Sequence, residues 1–137
     1  MKGCVLFLAD LVRAWPGAMD LEFVTARSYK GTQPGEVRVT MPPEVAQVVP
    51  GRAVLVVDDI FDTGRTLARV AEELRAFGPA EVRTLVLLRK RRPTAAPPLQ
   101  PDWVGFEIAD RFVVGYGLDY RGRYRNLPYL AVLPDGA

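Results

Sequence analysis

Three acidic residues, two hydroxyl residues and a glycine follow an apolar run near the middle of the chain, within Val54–Leu67. The acids Asp58, Asp59 and Asp62 are expected at the carboxyl end of a buried strand, where they can bind a metal ion or the hydroxyls of a sugar. Thr63–Thr66 is expected to open a helix, whose free backbone N–H groups bind phosphate. A phosphorylated sugar carries both kinds of group. The segment therefore predicts a site for such a ligand.

The same residues also have a purely structural interpretation, because Asp and Thr cap helices and Gly occupies tight turns. Two adjacent acids beside a buried strand, however, repel each other unless a cation or hydroxyl donors neutralise them, and this favours a binding role. The segment is not a Walker P-loop, since GxxxxGK[ST] is absent from the chain. Gly115-Tyr-Gly117 is not a dinucleotide fingerprint either, because it lacks the third glycine and opens no helix.

The lack of histidine limits the chemistry that the chain can carry out. With no histidine and one cysteine, Cys4, the chain has no Ser-His-Asp or Cys-His catalytic group, no zinc site of the usual kind and no intrachain disulfide. Proton transfer then falls to Asp, Glu, Lys or Tyr. Any metal is expected to be a hard cation on oxygen ligands, with magnesium the first candidate. Cys4 is expected to be a small buried apolar residue.

Bulk composition indicates a globular protein. The 137 residues are 49% hydrophobic and carry a net charge of +2, which predicts one domain over residues 1–137 and gives no reason to expect nucleic-acid binding. No apolar run approaches the roughly 20 residues of a membrane span, so a cytoplasmic protein is expected. The basic run Arg89-Lys90-Arg91-Arg92 is, by itself, typical of a solvated loop.

Hydrophobic periodicity predicts the elements that position these residues. Ala53–Val57 is continuously apolar, as in a central parallel strand, and the amphipathic segment after it is followed by another apolar run. This β-α-β unit predicts an α/β fold with a parallel sheet. The predicted helices are Cys4–Trp15 and Gly64–Phe77, with one helical turn in Val45–Val49. The other predicted strands are Leu21–Ala26, Glu36–Thr40, Glu81–Leu88, Val104–Ile108, Phe112–Gly115 and Tyr129–Leu133, with loops at Ser28–Gly35 and Arg89–Pro101.

Several of these segments resemble one known family. Val56–Leu67 resembles the phosphoribosyl-pyrophosphate motif of type I phosphoribosyltransferases. Three further segments are similar to the pyrophosphate loop, first helix and mobile loop of hypoxanthine-guanine phosphoribosyltransferases: Lys2-Gly3, Phe7–Leu11 and Ser28-Tyr29. The most specific likeness is a C-terminal signature that separates the 6-oxopurine enzymes from orotate, adenine and uracil relatives. It comprises Asp102–Ile108, Phe112–Tyr120 and Tyr124–Pro128.

The resemblance implies a fold and an activity. The fold is a central, mostly parallel sheet flanked by helices, here apparently without the N-terminal helix and strand that precede the Lys-Gly loop in relatives. The activity is magnesium-dependent transfer of the 5-phosphoribosyl group from phosphoribosyl pyrophosphate to hypoxanthine or guanine. The products are IMP or GMP and pyrophosphate, as in purine salvage by a homodimer or homotetramer. A mobile loop near residues 28–36 and a purine-recognition segment near residues 89–128 are also implied.

The resemblance also assigns roles to individual residues. Asp62 is the implied general base or acid at the purine, and Ser28 and Tyr29 belong to the implied lid. The phosphoribosyl-pyrophosphate residues are Asp58, Asp59, Asp62, Thr63, Gly64, Arg65, Thr66, Lys2, Gly3 and Arg125. The purine residues are Lys90 as donor to the 6-oxo group, Phe112 as stacking partner, Val113 through its backbone, and Asp119. The magnesium ligands are Asp58, Asp59 and Asp119.

Other interpretations remain open at this stage. Arg91 and Arg92 are expected to be surface charges, and Phe112 has a core aromatic as its alternative. A nucleotide-sensing or RNA-binding regulator can share the fold, and so can an N-terminally truncated, weakly active paralogue. The set of Asp62, Lys90 and Asp119 favours an enzyme. The choice among hypoxanthine, guanine and xanthine is left open.

Overall fold

A computed structural model describes residues 2–30, 34–92 and 97–134, without the side chains of residues 28–30 and 34–36. The first half contains α1 (Val5–Ala14), β1 (Thr25–Lys30), β2 (Pro34–Thr40), α2 (Val45–Val48) and β3 (Ala53–Phe61). The second half contains α3 (Arg65–Arg75), β4 (Glu81–Arg91), β5 (Trp103–Ala109), β6 (Val113–Val114) and β7 (Ala131–Val132). No helix in these described ranges is long and apolar enough to cross a membrane.

A parallel sheet of three strands, in the order β3-β4-β5, forms the centre of the fold. The central strand β4 is the most buried of the three, with Val86, Leu87 and Leu88 in the core, whereas the edge strand β5 exposes Trp103 and Phe106. The helix α3 places Leu67, Val70 and Leu74 on one stripe, and all three are buried. Leu67 packs with Val86 of β4 in one core cluster. The predicted α/β fold with a parallel sheet is confirmed.

A second core cluster joins the sheet to α1 and to the C-terminal segment. Leu87 and Leu88 of β4 pack with Leu118, and Phe7 of α1 lies against them. This contact brings the N-terminal end of the described chain beside the ends of the strands. The antiparallel hairpin β1-β2 packs in a third cluster with α2, α3 and the amino-terminal part of the sheet, and the two-stranded pair β6-β7 is also antiparallel.

Three predicted boundaries are wrong. The strand predicted over Ala53–Val57 continues to Phe61, so the acid pair lies inside β3, because β4 supplies ladder partners as far as Arg89. The basic run was predicted to lie in a loop, but β4 continues to Arg91 and pairs with β5 up to Ala109. The loop predicted over Ser28–Gly35 is strand at both ends, since β1 extends to Lys30 and β2 begins at Pro34.

The strand predicted over Leu21–Ala26 is also displaced. The segment from residue 21 to residue 24 lies outside any strand, and β1 begins at Thr25, where pairing with Thr40 starts. Local composition predicted a strand near its true position, but cross-strand pairing sets where a strand begins and ends.

Candidate functional site

The turn from β3 into α3 forms an open helix N-terminus. Gly64 caps the helix with φ of 76°, and a Cβ at this residue would lie 2.7 Å from Cζ of Phe61. Only glycine fits both the conformation and the space. The helix has no side-chain cap, so its first N–H groups have no partner within the helix. Thr63 and Thr66 are exposed beside them, and the turn can therefore bind a phosphate group.

The acid pair, Asp58 and Asp59, precedes this turn and lies near the end of β3. The backbone N–H of Asp59 donates to Oδ1 of Asp58 at 3.1 Å. Burial, and then the charge of Asp59, raise the pKa of Asp58 to about 7. Burial also raises the pKa of Asp59. Two buried carboxylates of this kind are stabilised in their charged form by a divalent cation or by hydroxyl donors.

The Lys2-Gly3 segment contacts the acid pair directly. A Cβ on Gly3 would lie 1.8 Å from Oδ2 of Asp59, so a larger residue does not fit without movement. Gly117 lies on the other side, and a Cβ there would be 2.1 Å from the carbonyl oxygen of Gly3. The exposed Lys2 is thereby held near the carboxylates by contacts between backbone segments.

Cys4 follows immediately and is buried, as predicted. Its Sγ lies 3.8 Å from the carbonyl oxygen of Val57. Burial, together with the charges of Asp59 and Asp58, raises the pKa of the thiol to about 12. Cys4 therefore stays protonated at neutral pH and is not a nucleophile.

Asp119 and Arg125 form an ion pair next to Gly117. The distance from Nη2 of Arg125 to Oδ1 of Asp119 is 2.6 Å, and Nη1 of Arg125 donates to the carbonyl of Gly117 at 2.7 Å. The backbone N–H of Gly122 donates to the second oxygen of Asp119 at 2.7 Å. The residues assigned to the pyrophosphate are thus joined through Gly117 and Gly3 to the acid pair. Both oxygens of Asp119 are already engaged by the protein.

Phe112 contacts Tyr120, and Val113 packs against the cluster that contains Leu118. Phe112 is 51% exposed, so its interpretation as a core aromatic is wrong. Its ring contacts Tyr120 edge-on, with 5.5 Å between the centroids. Val113 belongs to β6, pairs with Val132 and packs against the cluster around Leu88.

The basic run at the end of β4 is divided by the alternation of the strand. Arg89 and Arg91 both pair with Glu107 of β5, whereas Lys90 and Arg92 both pair with Asp110. Successive side chains of a strand point to opposite faces, which explains the two separate groups. Arg91, with 71% of its side chain exposed, is a surface charge, as expected.

All four residues of the basic run line a cavity of about 500 Å³ beside the turn from β3 into α3. The side chain of Lys90 is only 13% exposed, and its Nζ lies 3.3 Å from Oδ1 of Asp110. Nε of Arg92 lies 2.7 Å from Oδ1 of Asp62. Arg92, with 36% of its side chain exposed, is an exposed charge as expected, but it also pairs with Asp62. The cavity is lined by Phe61, Asp62, Thr63, Arg65, Arg89, Lys90, Arg91, Arg92, Pro97, Pro98, Gln100 and Glu107.

Comparisons with known proteins identify the family. A model of the phosphoribosyl transferase domain family matches residues 1–121. A hypoxanthine-guanine phosphoribosyltransferase of Lactococcus lactis is 42% identical over 135 residues, which are 97% of this chain and 72% of that protein. The chain belongs to the hypoxanthine-guanine phosphoribosyltransferases. A hypoxanthine phosphoribosyltransferase of Haemophilus influenzae is also 42% identical, over 95% of this chain and 72% of that protein.

Solved structures of the same family share the fold. The hypoxanthine phosphoribosyltransferase of Trypanosoma cruzi in complex with the product IMP has a TM-score of 0.84 and 36% identity, covering 98% of this chain and 72% of that one. The Staphylococcus aureus enzyme has a TM-score of 0.84 and 34% identity, with the same shares covered. The sheet β3-β4-β5 with its helices is therefore a type I phosphoribosyltransferase fold.

The carboxylates of this phosphoribosyltransferase suit a magnesium ion that retains other ligands. Within the described ranges, no three His, Cys, Asp or Glu side chains form a metal-binding cluster. Asp58 and Asp59 offer two carboxylates, and burial raises the pKa of both. Magnesium is commonly held by one or two carboxylates together with waters and substrate phosphates. The donor set fits that arrangement and does not form an all-protein cage.

The predicted lid residues are only partly described. The backbone of Ser28 and Tyr29 belongs to β1, but their side chains lie outside the described part of the structure, and so do residues 31–33. The role assigned to them stays a prediction.

Two residues contact predicted site residues without having been assigned to the site. Asp110, which pairs with Lys90, was not singled out, and Arg92, which pairs with Asp62, was expected only to be a surface charge. The available signal was the period of two in a strand, which places Arg92 on the same face as Lys90. That period applies only because β4 continues to Arg91, where the composition predicted a loop.

Proposed function

We propose that this chain transfers the 5-phosphoribosyl group of phosphoribosyl pyrophosphate to hypoxanthine or guanine in purine salvage. A nitrogen of the purine bonds to C1 of the ribose as the bond from C1 to the pyrophosphate oxygen breaks. The bonding electrons leave with pyrophosphate, and the purine gives up its ring proton. The products are IMP or GMP and pyrophosphate. The relatives carry the names of such enzymes, and the Trypanosoma cruzi structure contains IMP.

The observation that carries the proposal is a cavity shared by a phosphate-binding turn and a half-buried lysine. Thr63 and Arg65 line it from the turn, Lys90 lines it from β4, and Asp62 stands between them. A nucleoside monophosphate needs a phosphate site and a base site on either side of the ribose. The two sets of groups meet that need within one cavity.

Each group has a physical task in this reaction. The N–H groups of Gly64–Thr66 and the hydroxyls of Thr63 and Thr66 hold the 5-phosphate. Asp58 and Asp59 would bind the ribose hydroxyls and, partly through water, one magnesium ion, and Asp119 would hold a second one. When bound, magnesium neutralises part of the negative charge that develops on the leaving pyrophosphate.

The base is recognised by charge and by stacking. Lys90 donates to the 6-oxo group, which disfavours a 6-amino purine, because a site built for one polar group leaves its own donors unpaired with the other. To donate in this way, Lys90 turns from Asp110. The exposed ring of Phe112 stacks on the purine, and the backbone of Val113 binds its edge. Asp62 takes or returns the proton of the imidazole nitrogen.

The leaving group is held from the opposite side. Lys2, the backbone of Gly3, and Arg125 supply positive charge and N–H groups for the pyrophosphate. Ser28 and Tyr29 close over the reacting centre and exclude water, which limits hydrolysis of the activated sugar. We further propose that the chain works in the cytoplasm as a homodimer or homotetramer.

The test is a nucleotide-forming assay. Protein, magnesium and phosphoribosyl pyrophosphate are mixed with hypoxanthine, guanine, xanthine or adenine in turn, and nucleotide is separated by chromatography. Nucleotide is expected with at least one 6-oxopurine and not with adenine. Failure with every base refutes the proposal, and a preference for adenine refutes the role of Lys90. An Asp62→Ala variant serves as the control for contaminating activity.

A further inference from the structure

Arg92 lies between the carboxylates of Asp62, which lines the cavity, and Asp110, which does not. Its Nε is 2.7 Å from Oδ1 of Asp62 and 3.2 Å from Oδ2 of Asp110. Its Nη2 donates weakly to Oδ1 of Asp110 at 3.4 Å. The same Oδ1 of Asp110 lies 3.3 Å from Nζ of Lys90. A continuous chain of ion pairs therefore runs from Lys90 through Asp110 and Arg92 to Asp62.

We propose that Arg92, held by Asp110, is a positioning residue that fixes the carboxylate of Asp62 toward the purine. The proposal rests on the proposed function, because it concerns the group that exchanges a proton with the base. Arg92 engages only one oxygen of Asp62 among its described contacts, so the second oxygen is left for the purine. Asp110 links this arrangement to Lys90, which recognises the 6-oxo group.

The local backbone explains why Asp62 needs such a partner. Asp62 lies after the end of β3 and before the start of α3, so neither regular element restricts its side chain. Its side chain is 42% exposed, and no packing in a core selects one rotamer. An ion pair with a neighbour on the adjacent strand supplies the missing restraint on χ1 and χ2.

The guanidinium group is suited to this task, and an ammonium group is less so. A guanidinium carries N–H donors in a fixed planar fork and can bond two carboxylates at once, whereas a lysine is a single point charge on a flexible stem. Asp110 is itself placed by its position just beyond β5, next to the end of β4. Arg92 therefore has a fixed anchor on one side and Asp62 on the other.

The expected effect is modest, because the pair is partly exposed. With 36% of Arg92 and 42% of Asp62 exposed, solvent screens the charges, and such pairs contribute about 1 kcal/mol at most. Replacing Arg92 should therefore lower kcat about fivefold, which corresponds to that energy. The KM for the purine should change less than twofold, because Lys90 and Phe112 are retained.

The matched control is an arginine that forms ion pairs outside the cavity. Arg92→Gln and Arg69→Gln remove the same charge, but Arg69 pairs with Glu72 and Glu73 on the exposed side of α3 and does not line the cavity. Arg69→Gln should keep wild-type kcat and KM. Arg92→Lys should lose less than Arg92→Gln, since it keeps the charge but not the fork. Equal rates for the two glutamine variants overturn the proposal.

A double-mutant cycle separates positioning from a general loss of structure. If Arg92 acts through Asp62, then Arg92→Gln added to Asp62→Ala should cause no further loss of the residual rate. Losses that multiply overturn the proposal. Asp110→Asn provides an independent variant that keeps Arg92 and Asp62 but weakens the anchor of Arg92, and it should lower kcat. Urea unfolding confirms that each variant is folded.

The same assays distinguish a failure of the proposed function from a failure of the role proposed for Arg92. A wild-type protein that forms no nucleotide with any base removes the proposed function and the role of Arg92 with it. An active wild-type protein whose Arg92→Gln variant behaves like Arg69→Gln removes only the role of Arg92.

Discussion

Replacing Gly117 with alanine should disable the pyrophosphate side of the site while leaving the rest of the fold in place. A Cβ on Gly117 would lie 2.1 Å from the carbonyl oxygen of Gly3, and real Cβ atoms essentially never approach closer than 3.0 Å. One of the two backbone segments must therefore move by about 0.9 Å. Gly3 is also in contact with Asp59, so the movement reaches the acid pair.

The size of the effect follows from that displacement. Misplacing a substrate-positioning group by about 1 Å can reduce a rate on the order of 10²-fold. The left-handed backbone of Gly117, with φ of 98°, adds a conformational penalty of about 1–2 kcal/mol for alanine. We expect kcat/KM for phosphoribosyl pyrophosphate to fall between about 10-fold and 10²-fold, with a smaller change in the KM for the purine.

Gly122 is the matched control. It also has a positive φ, of 81°, but a Cβ there meets nothing within 4 Å. Its backbone N–H donates to Asp119, and alanine keeps that donor. Gly122→Ala should therefore carry only the conformational penalty, seen as a lower free energy of unfolding in urea, and should retain wild-type rates. A folded Gly117→Ala variant with the same rates as Gly122→Ala refutes the reasoning.

Three further changes test other parts of the site. Asp62→Ala should lower kcat by about 10²-fold or more with a smaller effect on purine binding; equal losses in both contradict a role in proton transfer. Lys90→Ala should weaken hypoxanthine binding by about 10-fold or more, measured by equilibrium titration, and unchanged affinity contradicts its role at the 6-oxo group. The raised pKa of Asp58, about 7, means that the folded protein binds more protons than the unfolded chain between about pH 4 and pH 7. Metal-free stability should therefore fall as pH rises through that range, Asp58→Asn should flatten the dependence, and a wild-type curve that rises instead contradicts the assignment.

The features that depend on local pattern were predictable from the sequence. The amphipathic spacing of Leu67, Val70 and Leu74 gave α3, and all three side chains are buried in it. The turn before α3 was predicted from Asp62, Thr63 and Gly64, whose residue types are typical of turns and helix N-termini. The glycine in it adopts the left-handed conformation that explains its presence.

The features that depend on pairing between distant segments were not predictable in the same way. Nothing within the run after Val57 indicates that the strand continues through two acids, since charged residues are depleted in strands. The ladder partners Val86 and Leu88 on β4 continue it. Likewise, the opposite charges of Arg89 and Glu107, which face each other across β4 and β5, favour strand only once the two segments are aligned.

The composition of the site follows from the geometry of a parallel sheet. In such a sheet the carboxyl ends of all strands lie at one edge, so the residues that follow them converge there. Asp62 follows β3, Arg92 follows β4 and Asp110 follows β5, and these three are the residues that the ion pairs connect. The edge itself was foreseeable from the order of the elements. Which side chains meet at it depends on the register of the strands, in which Lys90 faces Ile108 and thereby brings Asp110 within reach. A shift of one residue would turn Lys90 and Arg92 to the opposite face of β4, away from Asp110, so the register of β4 determines which cations reach Asp110 and Asp62.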